Sequence, residues 1–134
     1  MISFHPAQGS ILICDFTAFR EPEMTKRRPV IVVSKPIVAR PGLCTVVPLG
    51  SGEPEVLLPM HYKIIIDTPL PPPYNDPFHW VKGDMIYALG FDRLFLPYRG
   101  KIGGKRDYDC RVISSDQLAR VQKCIMAGIG IMKY

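Results

Sequence analysis

Six charged side chains crowd into the nine residues Arg20, Glu21, Pro22, Glu23, Met24, Thr25, Lys26, Arg27 and Arg28. A guanidinium offers two parallel N–H donors to an oxyanion, so Arg28 is suited to clamp a phosphate. Lys26 offers only a point charge and Arg27 a second fork. Glu23, five residues before Arg28, is either a proton acceptor or the ion-pair partner of Arg27 or Arg28. Gly50-Ser51-Gly52 is a permissive turn whose N–H groups and hydroxyl can meet an anion, or simply a tight corner. His61 and His79 are the other acid–base candidates, but no spacing rule pairs them, and a two-histidine mechanism is set aside. A charged loop by itself is also an ordinary solvated surface.

The elements that must position these residues are short. Ile11 to Phe16 and Val30 to Val33 flank the charged loop and read as strands, too short for core helices and rich in β-branched residues. Ile11 and Ile13 face one way, Leu12, Cys14 and Phe16 the other. Pro29 starts the second strand, where a missing N–H is tolerable. Val30 to Val33 is apolar on both faces, which predicts cover on both sides, as in a small barrel or at a dimer interface. Further strands are expected at Leu43 to Val47, stopped by Pro48, at Val56 to Leu58, at Tyr62 to Asp67, and at Asp107 to Ile113, while His79 to Leu89 and Phe91 to Leu96 carry an apolar pattern. Thr68 to Pro77 is too proline-rich for a helix or a central strand and reads as a stiff loop. Arg99 to Lys105 is a basic, glycine-rich hairpin. One helix begins near Ser114, with a capping box to Gln117. Its apolar face carries Leu118, Val121 and Ile125, supported by Ala119 and Cys124, with Gly128 or Gly130 as its stop. Many short strands, one C-terminal helix and no βαβ repeat predict a mainly β fold, a small, strongly bent sheet or barrel.

The chain of 134 residues predicts a single domain over residues 1–134. Its +5 charge, from 17 basic and 12 acidic residues, fits a polyanion or an acidic protein as partner. No secretory leader precedes the first strand and no apolar run reaches membrane-spanning length, so a cytoplasmic protein with no membrane contact is expected. Cys14, Cys44, Cys110 and Cys124 form no CxxC pair. Buried free thiols are expected rather than disulfides, and no metal or cofactor.

Four blocks in order are similar to the PemK/MazF family of toxin endoribonucleases. They are Gly9 to Phe16, Glu23 five residues before Arg28-Pro29 and the run to Ser34, Val47-Pro48-Leu49-Gly50-Ser51, and Val81-Lys82-Gly83-Asp84. The resemblance covers nearly the whole chain except the proline-rich loop and the Arg99 to Lys105 insertion. It implies an SH3-like barrel with a C-terminal helix and a homodimer. It also implies metal-independent cleavage of single-stranded RNA, often at short preferred sequences, and a cognate antitoxin that wraps the dimer and blocks the RNA groove. The chain departs from the family pattern at Ser10, where an acid is usual, at Gly50, where a threonine is usual, and at Lys82, where some members carry arginine.

Cleavage by a 2′-hydroxyl needs a base, an acid for the leaving oxygen, and donors on the phosphorane oxygens. Carried over residue by residue, the resemblance makes Arg28 the transition-state stabiliser and Ser51 a donor to a non-bridging oxygen. Glu23 is the base or the residue that orients Arg28. Lys26, Arg27, Lys82 and Arg20 attract RNA, with Arg99, Lys101, Lys105 and Arg106 widening the footprint. Asp84 meets a base edge or orders Lys82. Phe19, Tyr74 and Trp80 stack bases or belong to the core. Gly50 and Lys82 keep an alternative open: a catalytically weak RNA-binding or antitoxin-binding module of the same fold.

Overall fold

A computed structural model describes residues 1–131 of the chain. Nine strands precede the helix: β1 (Ile11–Cys14), β2 (Arg28–Val32), β3 (Leu43–Gly50), β4 (His61–Ile65), β5 (Phe78–Lys82), β6 (Tyr87–Gly90), β7 (Leu94–Phe95), β8 (Tyr98–Ile102) and β9 (Lys105–Tyr108), then α1 (Ser115–Gly128). Seven of them form one antiparallel sheet in the order β4-β5-β3-β2-β1-β7, with β6 also on β3. The sheet is mainly β in the barrel-like manner expected, yet it is not closed. The β8–β9 hairpin stands apart as its own two-stranded sheet. Its turn, Gly103-Gly104, has φ of +57° and +81°, the pair of positive values that a tight hairpin turn demands.

The alternation expected of β1 holds. Leu12, Cys14 and Phe16 enter one core cluster with Val30, Val32 and Val46, while Ile11 enters a second with Ile31, Val47 and Leu49. Val30, Ile31 and Val32 are fully buried, so the doubly apolar run is covered on both faces by this chain itself. That run therefore carries no information about a dimer.

Three strand expectations are corrected. Pro48 does not stop its strand; β3 runs through it to Gly50. Pro48 is the last residue in register with β2, opposite Val30, and Leu49 is the first in register with β5. The missing N–H thus falls where the strand exchanges partners. Val56 to Leu58 is not a strand, and Val56 and Leu57 are exposed. The strand expected over Asp107 to Ile113 ends at Tyr108, because Asp109 turns inward to an ion-pair network and only Val112 bridges back, to Ser10.

The helix starts as expected. The Ser114 hydroxyl accepts from the Gln117 N–H at 3.1 Å, and the Gln117 side chain accepts from the Ser114 N–H at 3.1 Å. It ends at Gly128, with Gly130 at φ +82°. The N–H groups of Gly130 and Ile131 return to the carbonyls of Ala127 and Met126, the crossed pair of bonds that closes many helices. Val121, Cys124 and Ala127 are buried, Leu118 and Ile125 partly so. Ala119 is exposed and contributes no packing. Cys14, Cys44 and Cys124 are buried free thiols and Cys110 an exposed one. Burial pushes Cys14 up to about 12, which leaves it an inert thiol. No helix among the described residues is long and apolar enough to cross a membrane.

The turn from β5 into β6 seats on this helix through two glycines. A Cβ on Gly83 would lie 2.4 Å from the carbonyl carbon and oxygen of Cys124, and one on Gly128 would lie 2.7 Å from the Asp84 nitrogen and the Gly83 oxygen. Backbone cannot yield as a side-chain tip can, so Gly83→Ala is expected to cost about 1–3 kcal/mol by overpacking. The check is the urea midpoint followed by the single tryptophan, Trp80. An unchanged midpoint would show that the helix shifts freely on the turn.

Candidate active site

Arg28 opens β2 directly opposite Cys14, and Pro29 follows it opposite Ile13. The end of β3 and the β5 strand lie alongside, because Gly50 pairs with Trp80 and Leu49 with Val81. Between them lies a cleft of about 230 Å³. Lys26, Arg27, Arg28, Ser51, Tyr74 and His79 line it, with Pro29 and Leu49 beneath and Pro73 and Asp76 at the rim. The proline-rich loop is thus the outer wall. It is anchored by Leu70, which is buried in the second core cluster, and the Tyr74 hydroxyl leans on the Arg27 carbonyl at 3.5 Å.

Gly50 and Lys82 lie beside Arg28, next to the cleft rather than in its lining. A Cβ on Gly50 would lie 2.9 Å from Cε of Lys82, 3.6 Å from its Nζ and 3.8 Å from Nη1 of Arg28. Lys82 therefore lies across the bare strand end beside Arg28. The two departures from the family pattern are one arrangement: a larger residue at position 50 would displace the lysine. Neither cation has a carboxylate within 4.0 Å among the described residues. The Nε of Arg28 is buried without a hydrogen-bond partner. Two neighbouring positive charges repel, and an anion placed between them removes that cost.

His79, weighed from the sequence only as half of a histidine pair and set aside, stands at the cleft without His61. It is 3% exposed. Burial pushes its pKa below the ordinary value, against a smaller upward pull from Asp76 and the Tyr74 backbone, so the ring is neutral near pH 7. Its Nε2, like the Arg28 Nε, is buried without a partner. The β3–β5 register, which sets Gly50 opposite Trp80, brings the preceding His79 here beside Ser51. His61 stands three rungs away opposite Lys82, and its Nδ1 accepts from the Leu58 N–H at 3.1 Å. The two histidines do not form a pair.

The other predicted residues divide. Ser51, Lys26 and Arg27 reach the cleft. Arg27 also lies 3.6 Å from Asp15, whose carboxyl is held below the usual range by hydrogen bonds from Thr17. Glu23 does not reach it: its Oε1 accepts from the Arg20 N–H at 3.3 Å, and its own N–H donates to the Arg20 carbonyl. Glu23 and Arg20 thus form an exposed turn of the loop. Asp84 is exposed at the turn that seats on α1, outside the cleft lining. Phe19 stacks on Tyr87 at 5.7 Å and 12°, has the Arg93 guanidinium 4.9 Å from its ring centroid, and lies outside the cleft lining. Trp80 is 6% exposed and offers no face to a base. Of the three aromatic candidates, Tyr74 alone lines the cleft. No trio of His, Cys, Asp or Glu among the described residues is gathered to hold a metal ion.

The chain can now be set beside known proteins. No curated protein matches it. Among solved structures it is similar to a mycobacterial endoribonuclease in complex with its cognate antitoxin, at 17% identity and TM-score 0.62 over 96% of this chain and 99% of that one. It is also similar to MazF from Deinococcus radiodurans, at 21% identity and TM-score 0.60, over 96% and 99%. A third is the Mycobacterium tuberculosis toxin MazF-mt6, at 14% and 0.57 over 92% and 98%. These likenesses establish a shared fold. The family model for the PemK-like, MazF-like toxin of type II toxin-antitoxin systems matches residues 7–128, and the chain belongs to that family.

Proposed function

We propose that this chain is an endoribonuclease toxin that cleaves single-stranded RNA by attack of a 2′-hydroxyl on the adjacent phosphorus, without a metal and with a preference for short sequences. It works as a homodimer in the cytoplasm and is restrained by a cognate antitoxin, a reading supported by the family and by the antitoxin complex of its mycobacterial neighbour. The observation that carries it is the convergence of Arg28 and Lys82 over Gly50, unopposed by a carboxylate.

A phosphate resting there meets two cations and, at the rim, the Ser51 hydroxyl. As the 2′-oxygen attacks, charge grows on the non-bridging oxygens and these contacts strengthen. The bond to the 5′-oxygen breaks, leaving a 2′,3′-cyclic phosphate and a 5′-hydroxyl. Asp76 or neutral His79, both at this cleft, takes the 2′ proton, and the acid so formed returns a proton to the 5′-oxygen as it leaves. Glu23 serves by shaping the loop that leads into Arg28.

The test is incubation of the pure protein with a long single-stranded RNA in EDTA, with mapping of the ends. Cyclic phosphate and 5′-hydroxyl termini are expected. A 5′-phosphate on the downstream fragment, or loss of cleavage in EDTA, overturns the route. Binding without any cleavage would favour the second reading, a binding module, which the absence of Glu23 from the cleft supports.

A further inference from the structure

The Arg28 cleft does not end at Arg27. That side chain also borders a second groove of about 560 Å³. Phe4, Phe95, Tyr98, Arg106 and Tyr108 wall it, and no carboxylate among the described residues lines it. Tyr98 and Tyr108 meet across β8 and β9 with centroids 5.7 Å apart, yet they remain 47% and 39% exposed. Arg106 stands over the Tyr98 ring at 5.9 Å and Arg27 over the Phe95 ring at 4.9 Å. Cross-strand pairing explains why the tyrosines touch. It does not explain why their rings stay wet beside two guanidiniums.

Exposed aromatic faces interleaved with guanidiniums, Arg106 without a carboxylate partner among the described residues and Arg27 3.6 Å from Asp15, are the chemistry of a single-stranded nucleic-acid path: bases stack on the rings, and phosphates follow the charge. The hairpin is also firm enough to be a platform. Its base is closed by the Asp109 N–H on the Pro97 carbonyl and by the Asp109 carboxylate between Arg99 and Arg111. An RNA whose scissile phosphate rests on Arg28 would have its neighbouring nucleotides pass Arg27 and enter this groove.

We propose that the β8–β9 hairpin, with Arg27 and Phe95, is a second RNA subsite that stacks nucleotides flanking the cleaved bond. It rests on the endoribonuclease reading above. The cut bond mapped in the EDTA experiment defines two probes: a short RNA that just spans it, and a long one with about ten more nucleotides on each side. Tyr98→Ala/Tyr108→Ala is expected to raise KM for the long RNA about 10-fold while leaving kcat and the short RNA nearly unchanged. Tyr98→Phe/Tyr108→Phe, which keeps both rings, should restore affinity. Arg106→Ala should lower the salt slope of binding by about one.

A long-RNA KM within about twofold of wild type would overturn the subsite. Equal losses on both probes, with dissociation of a dimer in sedimentation, would also overturn it and make the groove a contact between copies. If the wild type cuts no RNA at all, it is the endoribonuclease reading that fails. Gel-shift affinity for the long RNA then decides the groove by the same comparison of alanine and phenylalanine variants.

Discussion

Arg28→Ala is expected to slow single-turnover cleavage about 100-fold, roughly 3 kcal/mol of transition-state stabilisation. The backbone of Arg28 is held by the β1–β2 register and by Pro29, so its guanidinium is aimed before RNA arrives. Little reorganisation is left for the moment of reaction, which is when a donor on a developing oxyanion gains most. Arg28→Lys should recover only part of the loss, since an ammonium cannot hold two oxygens at once. Lys82, over Gly50, already supplies a point charge of that kind. Arg20→Ala is the control: Arg20 is exposed on the loop turn outside the cleft lining, and its loss should weaken binding in a salt-dependent way without slowing saturated turnover. The measurement is cleavage at saturating protein, with affinity for a 2′-deoxy substrate read separately. Turnover of the alanine variant within about threefold of wild type, fold intact, would remove Arg28 from the chemistry.

Asp109→Asn is expected to cost about 3 kcal/mol of stability at neutral pH. The Asp109 side chain is 3% exposed and sits between the guanidiniums of Arg99 and Arg111. Arg111 also donates to the carbonyl of Thr68, so the same network ties the hairpin to the loop that walls the cleft. Burial alone would raise the Asp109 pKa. Hydrogen bonds and charge from Arg111, then from Arg99, outweigh it and leave the value below the ordinary one. A lowered folded value means that the stabilisation is complete above the unfolded value of about 4 and is lost as pH falls through the folded one. Urea midpoints from pH 7 down to pH 3 should therefore show a lower profile with a shallower acid decline for the variant than for the wild type, the remaining decline coming from other carboxylates such as Asp15. Coincident profiles would mean that the two arginines are satisfied without the carboxylate.

The parts of this protein that its sequence alone determined are those whose physics is local. Ser114 and Gln117 cap a helix because both partners lie within one turn. Gly103-Gly104 closes a hairpin because positive φ is a property of two adjacent residues. Ile11 and Leu12 take opposite faces because the strand period is two. The loop from Arg20 to Arg28 is legible as a charged loop for the same reason, and the order of four short blocks carries the family. Only the tertiary structure decided which charges meet. β3 passes from β2 to β5 at Pro48, and that exchange brings Lys82 over Gly50 beside Arg28, a contact between residues far apart in the chain. The same register buries Trp80 and carries His79 to the cleft, while a short-range turn keeps Glu23 away from it. The charge of a side chain is written at its own position, but its partner is set by strand pairing across the sheet, and a shift of one residue there would turn every side chain to the other face.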